Sequence, residues 1–141
     1  MGAETEPVAI APPHGMSRRT RLSLLALCAL LGGSGILHFL VPAPYHRIVP
    51  APLRPQAAAI VAASGICELL CAALLALPRT RRFGAYATAA VLVAVFPANI
   101  QMALDSLHPG LSLSPGLAIV WLRLPLQYPL IRWALRFRRP D

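Results

Sequence analysis

The chain has 141 residues, 57% of them hydrophobic and only 13% charged, with a mean hydropathy of +0.62; a soluble domain of this length has too little interior to hide so much apolar side chain. Its formal net charge of +8 comes from 13 basic residues, all of them arginine, against five acids. The arginines stand at the ends of apolar runs and do not form a continuous stripe, which argues against a nucleic-acid face and for a lipid bilayer as the partner.

In chain order, residues 1–21 read as a disordered basic cytoplasmic tail, because the first 16 are rich in proline and glycine and show no periodicity. "SRRTRLSL" at 17–24 looks like a twin-arginine signal, and "LALC" ending at Cys28 faintly like a lipoprotein cleavage box. Leu27 fits that box poorly and further apolar runs follow, so the expectation is an uncleaved first helix. A hydrocarbon core takes about 20 helical residues, and four runs reach that length, at about 22–41, 57–77, 83–104 and 115–135. The fourth is the most polar, since it contains Arg123, Pro125, Gln127, Pro129 and Arg132.

Between the first two runs, "VPAPYHRIVPAPLRPQ" carries five prolines and predicts a stiff, extended external strap. "PRTRR" between the second and third is so short that those helices must form an antiparallel hairpin. Ser114 and Pro115 supply a start signal for the fourth helix, and residues 136–141 form a second basic tail. Arginines precede the first run, fill the second connection and follow the fourth, so the positive-inside rule places all three on the cytoplasmic side. The expected fold is therefore all-α: an integral membrane four-helix bundle over residues 22–135, with N- and C-termini cytoplasmic. Gly32, Gly33, Ser34 and Gly35, with the alanines of the second helix, predict close helix packing.

Each run also carries polar side chains: His38, Glu68, Asn99, and Arg123 with Gln127. At 1.5 Å rise per residue, Glu68 lies about 16 Å, Arg123 about 12 Å and Gln127 about 18 Å from the outer end of its span, with His38 and Asn99 roughly 5 to 8 Å deep. All five are thus expected to border one pocket in the outer half of the bundle. A charge near the bilayer centre costs about 2.5–3.5 kcal/mol on insertion scales, which predicts that Glu68 and Arg123 pair. Such a pair serves equally well to pin two helices or to form part of a site. Pro97, Pro125 and Pro129 predict helix kinks beside the pocket. Cys28, Cys67 and Cys71 lack close dithiol spacing and read as buried small hydrophobes. No metal site, nucleotide loop or catalytic motif is evident.

"GILHFLVPAPYHRIVPAPL", "ASGICELLCAALLALPRTRR", "VAVFPANIQMAL" and "RLPLQYPLIRWA" together resemble the DoxX-like membrane proteins of bacteria over roughly residues 32–134. The resemblance implies a multi-pass protein of the bacterial cytoplasmic membrane. Some relatives are associated with quinone-linked thiosulfate oxidation or with complexes handling thiol and oxidative stress. For this chain it implies a quinone-facing or non-catalytic subunit of a membrane redox complex, with quinone as the only cofactor in view. Two other readings stay open: a small-solute or proton pathway with Glu68 titrating, and a structural or assembly protein without a ligand.

Overall fold

The computed structural model describes residues 16–107 and 115–139, in which all regular structure is helical. Helix α1 spans Arg18–Leu40, a short α2 Pro42–Arg47, α3 Ala57–Ala76, α4 Arg81–Ala94, α5 Phe96–Asp105 and α6 Pro115–Leu135; 3₁₀ segments cover Ala51–Gln56 and Arg136–Arg138. Among the described residues three helical stretches are long and apolar enough to cross a membrane: Arg18–Leu40, Ala51–Ala76 and Arg81–Asp105. Their apolar side chains face outward in large part. Leu25, Leu30, Ile36, Ile66, Leu70 and Val93 are each about half exposed, a pattern that suits surroundings of hydrocarbon and not water.

Helix α1 begins where Ser17 accepts a side-chain bond from the Thr20 amide at 3.2 Å. The expected tail therefore gives way to helix by residue 18; residues 1–15 lie outside the described residues, as does the expected Ser114 cap. The proline-rich strap, expected to be extended, is mostly helical instead. Pro42 and Pro52 occupy first or second helical positions, where a missing amide hydrogen costs nothing and the fixed φ favours the helix. At the opposite end, Arg136–Arg138 turns back so that Phe137 is buried against the core, while residues 140–141 are not described.

The buried face of α1 runs Leu24, Leu27, Leu31, Gly35, His38, and that of α3 runs Val61, Gly65, Glu68, Cys71, Leu75. Spacings of three and four put each set on one stripe. The two helices pack along these stripes, α3 packs on α4, and α6 packs on α4 and α5. At the α1 N-terminal end the stripes meet a dry core of Leu24, Leu27, Leu31, Cys71, Leu75, Ala85, Ala134 and Phe137. Trp133 Nε1 donates to Ser23 Oγ at 2.8 Å, tying the end of α6 to the start of α1.

The α1–α3 contact is tightest at two glycines. A Cβ on Gly65 would lie 2.8 Å from the His38 Cβ and 3.0 Å from the Gly35 carbonyl, and one on Gly35 would lie 2.9 Å from the Gly65 carbonyl. Gly32 and Gly33, expected to share in this packing, face open space. In the 78–82 turn, Thr80 Oγ1 donates to the Leu74 carbonyl at 2.9 Å and Arg81 Nε to that of Leu75 at 3.1 Å, so the last carbonyls of α3 are satisfied by the hairpin itself. Gly65→Val is expected to lower stability by about 1–3 kcal/mol through overpacking. Gly32→Ala should leave stability unchanged or raise it by up to about 1 kcal/mol; thermal unfolding of both variants in detergent compares them directly.

Candidate functional site

Above the dry core, the α1–α3 stripes carry His38 and Glu68 to the same level, and a cavity of about 320 Å³ opens beside them. Its walls come from the end of α1, the strap, the first half of α3, the α4–α5 junction and α6. His38, Glu68, Asn99 and Arg123 all line it; Gln127 does not. Val61, Val91, Val95 and Leu53 give it apolar walls. Its size lies at the lower end of the range for small-molecule sites, and apolar walls with few convergent polar groups are their usual composition.

Glu68 is buried and its Oε2 has no hydrogen-bond partner among the described residues. The nearest ionisable side chain is His38, whose Nδ1 stands 3.9 Å from Oε2. That nitrogen already donates to the Ser34 carbonyl at 2.8 Å, which fixes the ring and places its hydrogen on Nδ1. The expected pair of Glu68 with Arg123 does not form: Arg123 is exposed at the cavity margin and makes no ion pair or hydrogen bond among the described residues. The cause is the packing order, because α6 rests on α4 and α5, whereas the glycine contact draws α1 against α3.

The helix break falls where proline predicts it. Pro97 has no amide hydrogen to return to the Val93 carbonyl, and the third apolar run divides there into α4 and α5 around Val95. Gln127 secures the break from α6: its Nε2 donates to the Leu92 carbonyl, and its Oε1 accepts from Asn99 Nδ2 at 3.2 Å. Its place is behind the cavity wall, orienting Asn99 toward the space. Helix α6 continues through Pro125 and Pro129 as one element.

Tyr45 and Ser64 belong to the site without having been singled out from the sequence, and Cys67 lines it as well. Tyr45 in α2 stacks on His38 with ring centroids 3.9 Å apart. Ser64, one turn before Glu68, also lines the cavity, and its buried Oγ has no partner. Cys67 is exposed and lines the cavity, Cys28 is half-buried and Cys71 buried, so the reading of all three as buried holds only for the last. The i, i+4 spacing of Ser64 and Glu68 was the available signal for Ser64, but a serine among alanines on an apolar helix carries no direction of its own. Among the described residues no three His, Cys, Asp or Glu side chains converge as a metal site.

The fold and site define an all-helical protein with membrane-length apolar helices and a polar-lined cavity toward one end of them. The chain belongs to the DUF8561 family, a domain of unknown function, whose model matches residues 27–138 and so takes in the whole cavity. No curated protein and no solved structure matches it. Gln127→Leu leaves the Leu92 carbonyl and the Asn99 amide without their partner and is expected to cost about 1–3 kcal/mol. Denaturant unfolding of this variant, of Asn99→Leu and of the double variant should show non-additive losses.

Proposed function

We propose that this protein is a four-helix membrane protein whose cavity binds a small amphipathic molecule, with the head group of a membrane quinone as the ligand class. The observation that carries the reading is the pair of unpartnered buried oxygens, Glu68 Oε2 and Ser64 Oγ, in a cavity that Asn99 and Arg123 also line. Buried polar atoms of a finished fold are nearly always satisfied, so two beside one cavity mark where a ligand or bound water completes the set. A quinone ring offers carbonyl acceptors to Arg123, Asn99 and Ser64. Its reduced form offers a hydroxyl to the Glu68 carboxylate, and its apolar tail suits the apolar walls.

Topology supports the same reading. The end of α6 lies against the start of α1 through Trp133 and Ser23. If α6 is the fourth span, then Arg18, Arg19 and Arg21, the arginines of the 78–82 turn and those after α6 share one side, which the positive-inside rule makes cytoplasmic. The cavity then faces the outer half of the bilayer. The DoxX-like resemblance supports a bacterial cytoplasmic membrane and a role as the quinone-facing, non-catalytic member of a redox assembly.

Native mass spectrometry and organic extraction of the protein purified from membranes test this. The wild type is expected to retain a specific small molecule, a quinone by mass and absorbance. Glu68→Gln and Ser64→Ala should each reduce its occupancy by roughly fivefold or more, the loss of a hydrogen bond to a charged or buried partner. A wild type that carries nothing, with Glu68→Gln merely less stable, would leave the structural role standing in its place.

A further inference from the structure

The end of the molecule opposite the cavity holds a second concavity, a groove of about 970 Å³ along the last turns of α6 and the 3₁₀ turn after it. Arg132, Arg136, Arg138 and Arg139 line it together with Tyr128 and Trp133. Arg132 lies in the last turn of α6 and Arg136 opens the 3₁₀ turn that follows, four residues further on. The chain then bends around buried Phe137, which returns Arg138 and Arg139 to the same space.

This groove is built from packing and not from opposite charge. Trp133 is anchored to Ser23, and Arg132 Nη1 donates to the Tyr128 hydroxyl at 3.1 Å, with its guanidinium 5.7 Å from that ring's centroid. All four arginines are exposed and none has an acidic partner among the described residues. The only described carboxylates, Glu68 and Asp105, belong to the cavity end. Four converging guanidiniums repel one another unless an anion joins them, and their planar forks match phosphate oxygens. Tyrosine and tryptophan beside clustered arginine at a helix end are the composition of a membrane interface, where basic clusters attract anionic lipid.

We propose that the groove binds the phosphate of an anionic phospholipid in the leaflet next to the arginines. The guanidiniums hold the phosphate, and Tyr128 and Trp133 flank the glycerol region. The inference rests on the membrane reading of α6 and is independent of what fills the cavity.

The test is native mass spectrometry of the full chain released from nanodiscs that contain equal amounts of phosphatidylglycerol and phosphatidylethanolamine with matched acyl chains. The wild type is expected to retain phosphatidylglycerol preferentially. Arg136→Gln/Arg138→Gln/Arg139→Gln should lower that preference by roughly tenfold or more, given the attraction of each basic residue near an anionic surface. Arg79→Gln/Arg82→Gln, on the same side but outside the groove, should retain it. Equal retention of the two lipids by the wild type overturns the proposal, as does an equal loss in both variants, which would mean diffuse charge. Displacement of the lipid by millimolar inorganic phosphate would also overturn it, in favour of a free-anion site. If the triple variant does not fold, the wild type still decides: its preference must fall as salt is raised. A wild type that fails to enter nanodiscs at all sinks the membrane reading itself, whereas entry without lipid preference sinks only the groove.

Discussion

The close approach of α1 and α3 at Gly35 and Gly65 is the contact from which the site follows. With no Cβ on either residue, the two backbones come near enough for the Gly65 carbonyl to sit under Gly35 and for the His38 Cβ to occupy the space over Gly65. In lipid, where burying an apolar side chain gains little, such van der Waals contact is a principal source of helix association. It also sets register. In this antiparallel pair His38 and Glu68 lie on opposite sides of the glycine contact, and their side chains, each leaning toward its own helix N-terminus, bring His38 Nδ1 within 3.9 Å of Glu68 Oε2.

Around that contact the molecule divides into a dry end and a polar end. At the dry end, leucines, small residues and Phe137 fill the space, and the turn between α3 and α4 satisfies the α3 carbonyls with Thr80 and Arg81. At the polar end the helices cannot close, because Pro97 breaks the third apolar run and the strap folds into short helical pieces. The backbone groups loosened there must be satisfied inside the protein, since hydrocarbon offers no partners. Gln127 does so for Leu92 and in the same stroke fixes Asn99. One amide thus converts a proline break into a shaped wall.

Much of this is legible in the residues. The apolar runs at about 22–41, 57–77 and 83–104 correspond to α1, α3 and the α4–α5 pair, because run length and hydropathy are local properties. The depth count expects five polar residues around one cavity; His38, Glu68, Asn99 and Arg123 line it and Gln127 does not. What it could not supply was neighbourhood. Depth alone made Arg123 the partner for Glu68, yet which helix lies beside which is decided by the glycine contact and by α6 resting on α4 and α5. The strap misled for a related reason: proline is as welcome in the first turn of a helix as in an extended chain, so five prolines did not decide between them. Tyr45 entered the site only through that helical fold.

The unmade pair bears on what Glu68 is for. A carboxylate kept only to pin α3 to α6 would need to touch Arg123, since a buried acid held apart from its partner keeps its own desolvation cost without the offsetting attraction. Here the two border one cavity without meeting, the carboxylate has a free oxygen, and His38 is committed to the Ser34 carbonyl and stacked on Tyr45. The arrangement supports the proposed binding role: an acceptor inside, a cation at the margin, and apolar walls between them. A molecule that presents a donor to Glu68 and an acceptor to Arg123 would supply what each lacks, and it would restore between α3 and α6 the link that the protein's own side chains leave open.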